Sequence, residues 1–235
     1  MGVCSLSYHL GMRTQRSLTD AASAFSYRPT GDTPCGIGFR TFRSTLTLGA
    51  GQVRYLNQAT DLLSELGTDV VVRDNGGGAV WIEPEAQIWV GIYLPSTEGF
   101  LTEDYRAELV RIGEVIAPAL VSFGLSDVRV VRSPDLLGRG KELCFAGLSY
   151  GEITTSGKKI LGLSLRRTKR WKIFHLMVPV YETQDKAASV LLRLGKEVPS
   201  AVTWSSLSVE IDGLKESDLS QLEEDILQRI DSRVL

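Results

Sequence analysis

At 235 residues, with 43% hydrophobic and 23% charged side chains, the chain has the composition of one sizeable globular domain. No uninterrupted apolar run approaches the roughly 18 residues of a membrane helix, and a net charge of -2 gives no global pull toward nucleic acid or a membrane surface. Three cysteines, Cys4, Cys35 and Cys144, are too few and too scattered for a disulfide framework or a zinc site, which points to a reducing, cytoplasmic setting.

The opening MGVCSLSYHLGMRTQRS lacks an export signal, and Leu6 stands where N-myristoylation needs Ser or Thr. Residues 1–36 are rich in Ser, Thr, Gly and Pro and read as a leader with little regular structure, at most a short helix over 18–25. The remaining residues, 37–235, read as one domain. Residues 37–48 are strand-like; Leu56, Ala59, Leu63 and Leu66 then give an amphipathic helix stopped by Gly67. A β-branched strand over 69–73 runs into Asp74-Asn75-Gly76-Gly77-Gly78, and strands follow over 79–82 and 87–94. Tyr105, Leu109, Ile112, Ile116 and Ala119 mark a helix over 103–123, with Thr102 as its cap and Pro118 as a kink or early end. A strand over 128–132 and a loop over 133–141 precede a hairpin: strands at 152–155 and 158–163 joined by Ser156-Gly157. A strand over 171–181, a helix over 186–194 closed by Gly195, and a last helix from about Ser217 complete the chain. Strands and helices in irregular order imply an α/β (α+β) fold with a mixed β-sheet flanked by helices.

The chemistry concentrates in two segments. Three successive glycines after a strand are costly unless the backbone turns tightly or a ligand lies against it. In the hairpin, strict alternation puts Lys159, Leu161, Leu163, Leu165 and Arg167 on one face, and Lys158, Ile160, Gly162, Ser164 and Arg166 on the other. Gly162 leaves room for a ligand against the backbone, and Cys144 lies fifteen residues before Lys159. From Lys158 to Lys172 the chain carries seven cationic side chains and no acid. His9 and His175, the two histidines, are far apart in sequence, and no metal set or Ser-His-Asp group is apparent.

Arg73-Asp74-Asn75-Gly76-Gly77-Gly78-Ala79-Val80 resembles the loop of the lipoate and biotin protein ligase superfamily, Arg-x-(Ser/Thr)-Gly-Gly-Gly-x-Val, with Asn75 at the hydroxyl position. Gly157-Lys158-Lys159-Ile160-Leu161-Gly162-Leu163-Ser164-Leu165-Arg166-Arg167 is similar to its Gly-Lys-Lys-Ile-x-Gly-x-x-x-Arg-Arg. Gly49-Ala50-Gly51-Gln52 and Phe174-His175-Leu176-Met177 echo two further segments, although Ala50 replaces an arginine and Ile82-Glu83 replaces His-Asp.

The resemblance implies the class II synthetase-like biotin/lipoate ligase catalytic fold, without a C-terminal accessory domain. It implies a lipoate-protein ligase-like enzyme that activates lipoate or octanoate as an adenylate with ATP and Mg2+, then transfers the acyl group to a lysine of a lipoyl-carrier domain. The carrier would be that of a 2-oxoacid dehydrogenase or a glycine-cleavage H-type protein, with a separate accessory protein as a further partner. Lys159 is the implied catalytic residue; Arg73, Asn75, Gly76, Gly77, Gly78, Ala79, Gly162 and Ser164 are the implied substrate and adenylate contacts.

Cys144-Phe145, Ser149-Tyr150 and Glu152 ahead of Lys159 resemble instead the cysteine-lysine octanoyltransferases, which would make Cys144 a catalytic nucleophile forming an acyl-thioester without ATP. A non-catalytic relative that binds an acyl chain or a carrier protein is the third reading. The basic run fits docking of an acidic carrier domain.

Overall fold

The computed structural model describes residues 6–9, 12–96, 104–134, 142–199 and 203–234. Its elements in chain order are β1 (Leu6–His9), β2 (Met12–Thr19), α1 (Ala21–Ser26), β3 (Cys35–Thr41), β4 (Thr45–Leu48), α2 (Leu56–Leu63), β5 (Asp69–Val72), β6 (Val80–Ile82), β7 (Gln87–Pro95), α3 (Tyr105–Ser122), β8 (Arg129–Val130), β9 (Ile153–Thr155), β10 (Lys158–Arg167), β11 (Trp171–Pro179), α4 (Gln184–Arg193), α5 (Leu207–Glu210) and α6 (Glu216–Val234). Eight strands form one sheet in the order β1-β2-β3-β7-β11-β10-β9-β8, and three form a second in the order β5-β4-β6. The large sheet is antiparallel except between β2 and β3, and β4 pairs parallel with β5. The mixed sheet flanked by helices is the expected class of fold.

Each face of the large sheet buries its own core. On one, Val90, Ile92, Phe174 and Leu176 pack against Ile112, Ile116 and Leu120 of α3 and Leu222, Ile226 and Ile230 of α6. On the other, Phe39, Trp89, Tyr93, Ile173 and Met177 meet Leu46, Leu48 and Val80 of the small sheet, with Ala59, Leu63, Ala187 and Leu191 from α2 and α4 behind. Such buried apolar faces on either side of a sheet are what alternation along its strands produces. Among the described residues no helix is long and apolar enough to cross a membrane.

The expectation of a leader with little regular structure is corrected. Met12–Thr19 is an eight-residue strand in full register with β3. Its sequence hides the strand because polar partners far along the chain anchor it: Arg16 Nε donates to Glu223 at 2.8 Å, and the Met12 N–H donates to Asp231 at 2.9 Å. Residues 37–48 divide into two strands in different sheets, bent apart at 42–44. Helix α3 is capped by Asp104, whose carboxylate accepts the Arg106 N–H at 2.9 Å; Thr102 lies outside the described residues. The same helix continues past Pro118 to Ser122. The short α5 carries no signal that the sequence reading used.

The largest correction for function concerns β10. Lys158 and Lys159 face Thr155 and Thr154, but Leu161 faces Ile153, so one residue is extra between Lys159 and Leu161. A bulge resets alternation, and Lys159 comes to the same side as Gly162 and Ser164 rather than opposite them. A Cβ built on Gly162 would lie 3.6 Å from Lys159 Cε.

Candidate functional site

The glycine loop leaves β5 and crosses the open side of β10. Gly77 has φ +99°, a conformation that L side chains rarely adopt. Gly78 is required for a different reason: a Cβ there would come within 2.7 Å of the backbone of Glu142 and Cys144. That contact is a clamp, in which the Ala79 N–H donates to Glu142 O at 2.7 Å and the Cys144 N–H donates to Ala79 O at 2.9 Å. Gly49 lies under the loop so tightly that a Cβ would overlap Gly77 O. A Cβ at Gly76 meets nothing within 4 Å, so the loop is open there.

Arg73 holds the loop from inside. Its guanidinium donates to Gly78 O at 2.7 Å, Gly76 O at 3.2 Å and Thr47 Oγ1 at 3.2 Å. Among the described residues no carboxylate lies within ion-pair reach of it. Burial drives this guanidinium below the ordinary arginine range, with the adjacent Cys144 thiol working in the opposite direction. Asn75 Nδ2 donates to Ser164 Oγ at 2.7 Å and ties the loop to β10.

Cys144 opens a single 3-10 turn, Cys144–Ala146, beneath the loop. Gln52, from the Gly49–Gln52 echo, fixes the segment leading into it: its Nε2 donates to the carbonyl and the carboxylate of Glu142 at 2.9 and 2.7 Å. Lys159 reaches across from β10 and spends all three ammonium N–H bonds on protein acceptors. These are Glu152 Oε1 at 2.6 Å, Cys144 O at 2.8 Å and Gly147 O at 3.2 Å, with the Phe145 ring 5.0 Å away. The Lys159 and Glu152 side chains are 1% and 3% exposed.

These groups border one cavity of about 850 Å³. Arg73, Asn75, Gly76, Gly77, Gly78, Cys144, Lys159, Gly162 and Ser164 all line it; Ala79 does not, and acts only through its backbone clamp. Gln52, Arg54, Glu142 and Glu152 add polar groups to its rim, and the wall formed by the large sheet is mostly apolar. Gly162, Met177 and Trp89 are directly paired neighbours on β10, β11 and β7, so they form a row crossing the sheet. Phe25 packs on that wall at a tilt, its ring 4.8 Å from Trp89 and 5.1 Å from His175. Burial first, then the Arg28 and Arg73 charges, push the His175 imidazole from 6.5 down to about 3, and its Nδ1 accepts the Trp89 Nε1–H at 3.2 Å. A cavity with cations and backbone amides at one side and an aromatic floor at the other can bury an aliphatic chain and hold an anionic head group.

The sequence reading missed Glu152 as partner of Lys159, and it missed the contribution of residues 1–36. Arg28 donates to Phe25 O, Tyr27 O and Asp74 Oδ2 at 2.9, 2.6 and 3.0 Å, which docks the supposed leader on the glycine loop. The available signal was the octanoyltransferase resemblance, which already set Glu152 ahead of Lys159 at the head of a short strand. The basic run is largely neutralised from within: Arg166 pairs with Asp74, Arg167 and Lys172 with Glu108, and Arg170 with Asp32.

Comparison with known proteins agrees with this geometry. The lipoyl protein ligase A/B catalytic domain profile matches residues 9–228. No curated protein matches the chain in sequence. A T. acidophilum protein assigned as a lipoate protein ligase, with lipoic acid bound, has TM-score 0.70 and 17% identity over 95% of this chain and 85% of that one. Lipoate-protein ligase A bound with ATP has TM-score 0.67 and 17% identity over 95% and 94%. A bi-partite lipoate protein ligase from Thermoplasma acidophilum, described with its E2 lipoyl domain, has TM-score 0.58 and 14% identity over 96% and 93%. At these identities the likeness to solved structures shows the fold. With a profile that spans nearly its whole length, the chain belongs to the lipoyl protein ligase A/B catalytic domain family and is an enzyme of the ligase or acyltransferase type.

Proposed function

We propose that the enzyme activates lipoate or octanoate as its adenylate and transfers the acyl group to a lysine of a lipoyl-carrier domain. The observation that carries this reading is the convergence of Lys159, Arg73 and the Gly76–Gly78 loop on one cavity whose floor is the Gly162, Met177 and Trp89 row. Two inter-strand spacings make that row about 10 Å long, the reach of a medium acyl chain. Burying six or seven methylenes at about 0.8 kcal/mol each contributes on the order of 5 kcal/mol. That is weak binding by itself, so the carboxyl end must supply the rest.

In this reading Arg73 and the loop amides receive the carboxylate and then the α-phosphate, and Lys159 stabilises the oxyanion as the C–O bond to AMP breaks. Asn75, Gly162 and Ser164 shape the floor beside the reacting carbon. ATP is the co-substrate, as in the lipoate-protein ligase A neighbour bound with ATP. Among the described residues no group of three or more His, Cys, Asp or Glu side chains is placed to hold a metal ion, so Mg2+ belongs here with the nucleotide and no step is assigned to it. The carrier is a lipoyl domain, as described for the bi-partite neighbour.

One observation favours a second reading. Cys144 lines the same cavity as Arg73, Lys159 and the glycine loop, so a nucleophilic sulfur lies beside the groups that would stabilise an acyl oxyanion. In that route the Cys144 thiolate attacks an octanoyl-thioester, the donor leaves as its own thiolate, and the carrier lysine then displaces Cys144 from the acyl carbon.

The two routes separate by carrier mass. The protein is incubated with a lipoyl-carrier domain and either lipoate, ATP and Mg2+ or octanoyl-carrier protein, alongside Cys144→Ala and Lys159→Ala. Modification that requires ATP and survives Cys144→Ala is the expected result. Modification from octanoyl-carrier protein without ATP, abolished in Cys144→Ala, moves the assignment to the thioester route. No added mass in either arm rejects both.

A further inference from the structure

We infer that Glu152 serves as an internal stand-in for the substrate anion: it occupies Lys159 in the free enzyme, and the acyl donor reaches Lys159 only by displacing part of that grip. The inference deepens the proposed function and rests on it. Three observations carry it. The ammonium of Lys159 has no N–H left, its bonds running to Glu152, Cys144 O and Gly147 O. Glu152 cannot swing aside freely, because its second oxygen accepts the Ser149 N–H at 2.7 Å. Glu152, Gly147, Cys144 and Lys159 all border the cavity in which an acyl donor has to lie.

The charge balance follows. Lys159 and Glu152 cancel and Arg54 pairs with Glu142, so among the described residues the cavity cation without a carboxylate partner is Arg73, and a carboxylate entering near Lys159 meets a fixed negative charge. The contact to Gly147 O, the longest of the three, is the one that yields to an incoming oxygen. Ground-state affinity for the free acid is thereby lowered. The full pull of the lysine is kept for the step in which negative charge grows on the acyl oxygen, and interactions stronger in the transition state than in the ground state are those that raise kcat. Glu152 is therefore a positioning residue: it acts on the substrate through Lys159.

The sign of the predicted effect distinguishes this role from a merely structural one. Damage to the site raises KM, whereas removing an internal competitor lowers it. Glu152→Gln keeps the shape and one acceptor for Lys159 and removes the charge. Binding of octanoate and of octanamide, its neutral counterpart, is measured by calorimetry on wild type, Glu152→Gln and the charge-free pair Glu152→Gln/Lys159→Gln.

Glu152→Gln is expected to bind octanoate about tenfold more tightly than wild type with octanamide little changed, and the double variant, which lacks the ammonium that the anion has to reach, to bind it more weakly than wild type. In steady state KM for octanoate falls together with kcat. Equal tightening of both ligands, or no tightening of octanoate, overturns the inference while leaving the acyl-transfer reading intact. A wild-type protein that binds no octanoate overturns both. Should Glu152→Gln fail to fold, the double variant compared with wild type still decides: octanoate binding no weaker than wild type shows that Lys159 does not receive the anion, and overturns the inference.

Discussion

Two buried cations meet at the cavity, one from the β10 hairpin and one from the glycine loop, and their surroundings differ. Lys159 sits against a carboxylate and two carbonyls, whereas Arg73 sits against carbonyls, a hydroxyl and the Cys144 thiol, with no carboxylate in reach among the described residues. Burying a charge is expensive unless it is paired. The hairpin meets that cost with Glu152 and fixes its lysine in one place. The loop leaves the cost partly unmet, and the field of Arg73 remains available to an anion. Placement thus belongs to the hairpin and attraction to the loop.

That contrast breaks most visibly in stability. Lys159→Met strands Glu152 as a lone buried carboxylate and is expected to cost about 3–5 kcal/mol of unfolding free energy. Arg73→Met leaves the Gly76 and Gly78 carbonyls, the Thr47 hydroxyl and the Cys144 thiol without the guanidinium but strands no carboxylate, and is expected to cost about 1–3 kcal/mol. Urea denaturation of both variants decides the order. If the arginine variant is the less stable, Arg73 has a counter-charge and the asymmetry is wrong. Adding Glu152→Gln to Lys159→Met is expected to recover most of the loss.

The comparison sharpens within the loop. Gly78→Ala places a methyl against the backbone of Glu142 and Cys144, so the loop and the Cys144 turn must part. A displacement near 1 Å in a reacting constellation costs about a hundredfold in rate, and acyl transfer by Gly78→Ala is expected to fall by that order. Gly76→Ala adds a methyl to open space, so its smaller loss reports on substrate approach alone. Equal rates for the two variants would mean that the loop and the turn do not work as one unit.

The fold class and most elements after residue 36 were legible because their signals are local: alternation, 3.6-residue periodicity, Gly67 and Gly195 as helix ends, and Ser156-Gly157 as a turn. The glycine loop and the second lysine of the hairpin were legible as motifs. What escaped reading depends on distant partners. Strand β2 shows no apolar alternation because Glu223 and Asp231, about 200 residues away, hold it. Phe25 and Arg28 look like part of a tail until the sheet brings Trp89 and Asp74 to them. A bulge at Lys159 cannot be read from alternation, since the strand reads equally well without it, and its effect is to turn the lysine into the cavity. The basic run from 158 to 172 looked like a docking surface because its acids, Asp32, Asp74 and Glu108, come from elsewhere in the chain.

The mildest test concerns the wall that both cations face. His175 is neutral in the fold, its imidazole pushed from 6.5 to about 3 by burial and by the Arg28 and Arg73 charges. Between those values the unfolded chain binds a proton that the folded chain does not, so stability falls as pH drops from 6.5 toward 3 and the effect is absent above 6.5. At about 1.36 kcal/mol per pH unit, His175 alone accounts for about 2 kcal/mol lost by pH 5. His175→Gln keeps an acceptor for the Trp89 N–H and removes the titration. Its unfolding free energy is expected to drop by about 2 kcal/mol less than wild type between pH 7 and pH 5, because the buried carboxylates contribute alike to both proteins. Identical slopes would mean that the imidazole takes up its proton within the folded protein, and that the cavity wall is wetter than the packing of Phe25, Trp89 and Phe39 around it implies.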